Sequence, residues 1–353
     1  MSLGQLERKL LVVVGAGGSG KTTLAASLGL RSARAGAETL VMTFDPSLRL
    51  KDALGVGDSA KDRAVRVKSG TRARLDVILL DAQSTFDRLI ERYAPTQAAA
   101  ERIYTNRFYR ELAGNLAGIL EYMAVERLFE VASERSYDRI ILDTPPTRQA
   151  LDFLEAPDRI VNFLDSGAIK IALKPWWEAG GGIAGIPMRL AAKGVEGIAD
   201  RLLGVRLLGD MLEFFRAFAP LYDGFRERAE QVRHLLRDPE TLFVLVSGPG
   251  EDRIPDTMFF ARKLKEGGHR VGPIVVNQVH PQVGRTGGPA DGRFAAGLDL
   301  FEFLGRRDQQ GIDRLRKLLS RGEPLVLVPL HARPPGDLEE LEQLGEEVIS
   351  QVR

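Results

Sequence analysis

The stretch Gly15-Ala16-Gly17-Gly18-Ser19-Gly20-Lys21-Thr22 fits G-x-x-x-x-G-K-[ST], and it sits between an apolar run, Leu10–Val14, and a helical pattern that opens at Lys21. In that context the motif demands a strand ending in a loop of backbone N–H groups, followed by a helix whose N-terminus faces the same point. Glycines let such a loop close around a phosphate. Lys21 would neutralise the β and γ oxygens of a nucleotide, and the Thr22 hydroxyl would complete a magnesium shell. Gly15, Gly17, Gly18, Ser19, Gly20, Lys21, Thr22 and Thr23 are therefore the nucleotide-binding candidates.

A strand committed to this loop needs a sheet around it. Short apolar runs recur at Leu10–Val14, Thr39–Thr43, Val77–Leu80, Arg139–Leu142, Leu242–Ser247, Val271–Asn277 and Leu325–Pro329, with helical patterns between them. Runs this apolar suit strands buried on both faces, so the expected fold is α/β: a doubly wound, mostly parallel sheet. Two stretches break the alternation with helical periodicity alone. Residues 82–136 and 157–238 are expected to form an inserted helical subdomain, and residues 1–81, 137–156 and 239–353 the nucleotide-binding core. Helical spacing joins Phe108, Leu112, Leu116, Ile119 and Met123, and again Met211, Phe214, Phe215, Phe218, Leu221, Tyr222 and Phe225. Gly180–Pro187 and Gly284–Gly297 read as glycine-rich loops.

Two carboxylates stand where a triphosphate site would use them. Asp143 ends the run Ile140-Ile141-Leu142 and is the candidate metal residue with Thr22, holding a magnesium-bound water. Thr144-Pro145-Pro146-Thr147 after it forms a stiff turn suited to sensing a γ-phosphate. Asp45 follows the second strand and precedes Pro46. By itself that pair reads as a turn, although a carboxylate brought in on a loop could also polarise an attacking water.

Composition narrows the function further. The 353 residues carry 49 basic and 48 acidic side chains, a net charge of +1, so no overall field gathers nucleic acid or anionic lipid. No run reaches the roughly 20 apolar residues of a membrane span, and the N-terminal apolar run is too short for a signal peptide. A cytoplasmic protein with at most transient membrane association is expected. There is no cysteine, which excludes disulfides and thiolate metal sites.

Together these residues resemble the arsenite-pump ATPase family of deviant P-loop proteins, which includes the ATPase that targets tail-anchored membrane proteins. The family's first switch is similar to Asp45-Pro46 followed by Leu50-Lys51-Asp52-Ala53-Leu54-Gly55. Its second switch, with a Leu-rich helix ending in proline, is similar to Asp143–Thr147 through Leu151, Leu154 and Pro157. The resemblance makes Asp45 a catalytic residue beside Lys21, places the family's adenine-binding Asn at Asn277, and places its late proline at Pro329. ATP and Mg2+ are the implied cofactors. Adenine is also the base that the residues favour: Asn277-Gln278-Val279-His280 lacks the Lys and Asp of a guanine-selecting Asn-Lys-x-Asp, and an amide serves a ring nitrogen and an exocyclic amine.

The resemblance implies an ATP-hydrolysing dimeric switch that binds a hydrophobic protein client through its helical subdomain. Stretches such as Leu116–Met123 and Ala150–Pro157 resemble a bacterial branch of paired paralogues. Two features depart from the family pattern. A second lysine commonly follows the first glycine of the loop and reaches the partner's phosphates, but Ala16 stands there; the paired Cys-x-x-Cys clasp is missing. A homodimer, or a heterodimer with a lysine-bearing paralogous ATPase, is expected, with Arg49 and Arg148 as other sources of charge. Without cysteine an arsenite-binding thiolate site is excluded. The alternative is a membrane- or nucleoid-associated positioning ATPase, against which the acidic run Gly336–Arg353 speaks; nothing resembles the lid of a small-molecule kinase. Trp176, Trp177, Ile183, Ile186, Met188 and Leu190 either form an exposed client surface or pack inside the subdomain.

Overall fold

The computed structural model describes residues 6–44, 54–56, 62–94, 96–106, 119–134, 136–167, 219, 222–282, 292–319 and 323–352. Contacts divide the chain into two compact units, Met1–Leu80 with Val131–Leu151 and Leu236–Arg353, and Asp81–Glu130 with Asp152–Leu235.

The first unit is built on an eight-stranded sheet. Its strands are β1 (Leu10–Gly15), β2 (Thr39–Thr43), β3 (Val65–Arg66), β4 (Leu75–Leu79), β5 (Arg139–Asp143), β6 (Thr241–Ser247), β7 (Val271–Val279) and β8 (Leu325–Pro329). They lie in the order β3-β4-β2-β5-β1-β6-β7-β8, every neighbouring pair parallel except β3 with β4. The fold class is thus the doubly wound, mostly parallel sheet that the apolar runs call for. The chain leaves β1 to one side, for β2, and later returns to its other side as β6. Such a reversal opens a crevice at the carboxyl ends of the strands, and the glycine loop lies there.

Helix α1 (Lys21–Arg34) packs on the sheet, and the C-terminal helix, here α9 (Leu338–Gln351), packs on α1. Two glycines permit that close stacking. A Cβ on Gly29 would come within 2.4 Å of Val41, and one on Gly345 within 2.7 Å of the Ser27 carbonyl. Leu24 and Leu28 of α1 join Leu341, Leu344 and Val348 of α9 in the main core. The acidic face of α9 pairs with α1, through Glu346 to Arg31 and Glu342 to Arg34. The apolar face of this acidic C-terminal stretch is therefore buried against the fold. Gln351 then closes the outer edge at β8, accepting from the Leu327 N–H at 2.9 Å and donating to its carbonyl at 2.8 Å.

The second unit is helical among its described residues, comprising α2 (Ala82–Tyr93), α3 (Gln97–Thr105) and parts of α4 (Ile119–Ser133), α5 (Thr147–Leu164) and α6 (Tyr222–Arg237). Phe86, Ile90, Tyr122, Met123, Leu164, Tyr222 and Phe225 form its core. Of the two apolar stripes, Met123, Tyr222 and Phe225 pack inside; Phe108, Leu112, Leu116 and Met211–Leu221 apart from Ala219 lie outside the described residues. Glu126 is buried in this unit and receives hydrogen bonds from Arg228 and, at 3.3 Å, from the Tyr122 hydroxyl.

Several boundaries differ from expectation for identifiable reasons. The fourth strand begins at Leu75, two residues early, because Asp76 is satisfied inside the sheet by Arg66 and by the Tyr137 hydroxyl, each at 2.8 Å. β3 is a two-residue edge strand, too short to show periodicity. Pro157 lies inside α5, which runs on to Leu164, so the second-switch helix does not end there. Of the expected glycine-rich loop Gly284–Gly297, positions 284–291 lie outside the described residues and the rest is helical. Gly292–Gly297 belong to the 27-residue helix α8 (Gly292–Leu318), where the good helix formers Arg293, Ala295 and Ala296 offset the two glycines. The remaining helix, α7 (Ile254–Glu266), joins β6 to β7.

Candidate active site

The phosphate-loop candidate begins where β1 pairs with β6. Gly15 lies opposite Val246, and a Cβ there would come within 2.0 Å of the Val246 carbonyl oxygen. Only glycine permits this approach. Gly18 and Gly20 take φ of 74° and 91°, the left-handed region that L residues avoid, and they turn the chain into α1. No side chain caps α1, so the helix presents uncapped backbone donors at its N-terminus. The Ala16 carbonyl organises the loop interior. It accepts from Ser19 Oγ at 2.8 Å and from Lys21 Nζ at 2.9 Å, which folds the buried lysine back over the loop.

Asp143 enters from β5, level with Val13 of β1 on one side and Thr43 of β2 on the other. Its carboxylate is 1% exposed. Oδ2 accepts from Thr22 Oγ1 at 2.7 Å and from Thr43 Oγ1 at 2.9 Å. Strands β2 and β5 and the first turn of α1 thus meet at one oxygen. The chain continues through Thr144, whose hydroxyl donates to the Val13 carbonyl at 2.8 Å, to Pro146, which lies 3.8 Å from where a Gly17 Cβ would be. The turn after Asp143 therefore lies directly against the glycine loop.

Asn277 approaches from β7. Its Nδ2 donates to the Ser19 carbonyl at 2.8 Å. Pro329 ends β8 opposite Val279, two residues from Asn277, and Leu330 N donates to the Val279 carbonyl at 2.8 Å. Lys21, Thr22, Asp143 and Asn277 are thereby joined to one loop, with Pro329 on the neighbouring strand end. Thr23 continues the first turn of α1. Asp45 and Arg49 lie outside the described residues, as do residues 168–200 with both tryptophans, and the side chain of Arg148 is likewise not described.

The donor set fits magnesium and a triphosphate. A hydroxyl and a carboxylate oxygen suit a hard cation, and a Cβ on Gly18 would meet nothing within 4 Å, which leaves the loop mouth open. Among the described residues no cluster of three His, Asp or Glu could hold a metal.

Residues 8–287 match the anion-transporting ATPase family. The chain belongs to that family. It is 25% identical over 279 residues to an Aquifex aeolicus protein whose name is that of a putative arsenical pump-driving ATPase, a match covering 78% of this chain and 64% of that one. It is 28% identical to ATPase ARSA2 of Chlamydomonas reinhardtii, covering 78% and 69%. With ATPase GET3 of Podospora anserina it shares 25% identity over 353 residues, covering 98% of this chain and 92% of the relative. Among the described residues no helix is long and apolar enough to cross a membrane.

Thr43 is a site residue that sequence reasoning missed. The available signal was a hydroxyl closing an otherwise apolar strand, Leu40-Val41-Met42-Thr43, but the link needs β2 to lie beside β5. The strand order explains why Thr43 reaches Asp143.

Proposed function

We propose that this member of the family is a magnesium-dependent ATPase that works as a nucleotide-driven switch. The observation that carries the reading is the Thr22–Asp143 hydrogen bond of 2.7 Å at the mouth of the glycine loop, beside a lysine held against the Ala16 carbonyl. Magnesium, when bound, offsets phosphate charge. Thr22 and Asp143 would hold it, directly and through water, while Lys21 and the loop amides bind the phosphate oxygens. Asp45 would orient the attacking water and accept its proton at a carboxylate oxygen. Asn277 would accept from the exocyclic amine of adenine, with Pro329 beside it.

The finer reading is a dimer that handles a hydrophobic protein client through the second unit, residues 82–136 and 157–238 by the sequence boundaries. The name ATPase GET3 among the relatives and the helical character of that unit support it. A second copy has a surface to meet on α8, where Leu300 and Phe303 are 57% and 60% exposed. Asp299 and Glu302 precede Arg306 and Arg307 along that helix, so antiparallel pairing of two copies sets acids opposite bases. Ala16 leaves the trans lysine to a paralogous partner.

Equilibrium titration with ATP and a steady-state hydrolysis assay test the reading. Lys21→Ala should lose tight nucleotide binding, whereas Asp45→Asn should bind ATP and lose turnover, because an amide accepts no proton from water. Turnover of Asp45→Asn equal to the unaltered protein would remove Asp45 from the chemistry.

A further inference from the structure

Asn277 does more in this structure than line a base pocket. Its Nδ2 donates to the carbonyl of Ser19, the residue immediately before the left-handed Gly20 that turns the loop into α1. The contact is close-packed as well as hydrogen-bonded, since a Cβ on Gly20 would lie 2.2 Å from that nitrogen. Gly20 is thus constrained both by its own φ of 91° and by the amide that lies over it.

The orientation of the amide is built into the sheet. β7 pairs with β8 in regular register from Ile274 to Val276, then shifts before Val279 meets Pro329. Gln278, inside the shift, takes a φ of 64°. A non-glycine residue held there carries backbone strain, and irregularities of this kind re-aim side chains near functional sites.

We infer that Asn277 is a positioning residue for the phosphate loop, coupling base contact to phosphate contact through one side chain. The inference rests on the reading of Gly15–Thr22 as a phosphate loop. A primary amide has two N–H donors and a carbonyl acceptor. One N–H is spent on Ser19, which leaves the second N–H and Oδ1 for the edge of a base. An adenine that engages Asn277 therefore also steadies the carbonyl that sets the Gly20 turn. Loss of the side chain loosens the loop whether or not a base is present.

Inorganic tripolyphosphate with magnesium, which has no base, separates this role from simple base recognition. Its affinity and that of ATP are measured by calorimetric titration on the full chain, for the unaltered protein, Asn277→Ala and Asn277→Asp. Asn277→Ala should weaken both ligands by about three- to tenfold, the worth of one hydrogen bond. Asn277→Asp keeps the shape and can still accept from an exocyclic amine, but sets a carboxylate against the Ser19 carbonyl. It should weaken tripolyphosphate at least as much. Hydrogen exchange of residues 15–22 should quicken in both variants while β1 and β7 stay protected, which a general loss of folding would not produce. If tripolyphosphate binds the unaltered protein and both variants equally while ATP affinity falls, the inference is overturned and the phosphate-loop reading stands. If neither ligand binds the unaltered protein, the phosphate-loop reading falls and takes the inference with it.

Discussion

Replacing Thr43 by valine removes one hydroxyl from the site at almost constant volume. Thr43 is 1% exposed, and its Oγ1 donates to Asp143 Oδ2 at 2.9 Å, the same oxygen that accepts from Thr22 at 2.7 Å. No cavity opens, so the cost is that of a hydrogen bond to an ionised acceptor, about 1.5–3 kcal/mol. In local opening equilibria that is roughly a tenfold to hundredfold loss, read as faster hydrogen exchange in peptides spanning 39–43 and 139–143. The functional consequence follows from the geometry. Thr43 fixes the orientation of the carboxylate that would hold a magnesium-bound water, and loss of such outer partners commonly costs about 10–100-fold in metal affinity. The magnesium concentration that half-saturates ATP hydrolysis should rise accordingly in Thr43→Val. Thr43→Ser keeps the hydroxyl and should restore both readouts, apart from about 0.5–1.5 kcal/mol for the lost methyl. Unchanged exchange and unchanged magnesium dependence in Thr43→Val would refute the reasoning.

Burial raises the Glu126 carboxyl above its usual range, and this outweighs the lowering by Arg228 and by the hydrogen bonds it receives. A carboxyl raised in the folded state stabilises at low pH and loses that contribution as pH rises through the raised value. The stability advantage of the unaltered protein over Glu126→Gln should therefore shrink with rising pH in denaturation curves; an advantage that grows would mean that the ion pair dominates. Ala16→Lys should raise ATP turnover of the protein alone, and a lysine-bearing paralogue should do the same for the unaltered chain, both read by phosphate release. Leu300→Asp together with Phe303→Asp should shift any self-associated species to monomer in sedimentation velocity, with the fold checked by circular dichroism.

Much of the candidate site is legible in the sequence because a glycine loop is a local object. Gly15 to Thr22 specify their own bend and helix start, and Asp143 announces itself as an acid closing an apolar strand. Asn277 and Pro329 become visible through family resemblance rather than chemistry of their own. The departures have physical causes too. Helix α5 continues through Pro157 with its neighbours Ala156, Val161 and Leu164 buried in the helical core, and tertiary burial of this kind offsets a local breaker. Asp76 reads as lying outside a strand because its partners, Arg66 and Tyr137, are not its sequence neighbours.

The sequence by itself determined the fold class, the bend of the glycine loop and the carboxylate that closes β5, because periodicity and glycine placement act over a few residues. Which strands become neighbours is settled by long-range pairing, and periodicity carries no record of it. Only the strand order places Thr43 against Asp143 and brings Asn277, 258 positions away, to the carbonyl of Ser19. Those contacts join one strand to another and a strand to the glycine loop at the sheet's carboxyl edge, so their geometry exists only once the sheet has assembled.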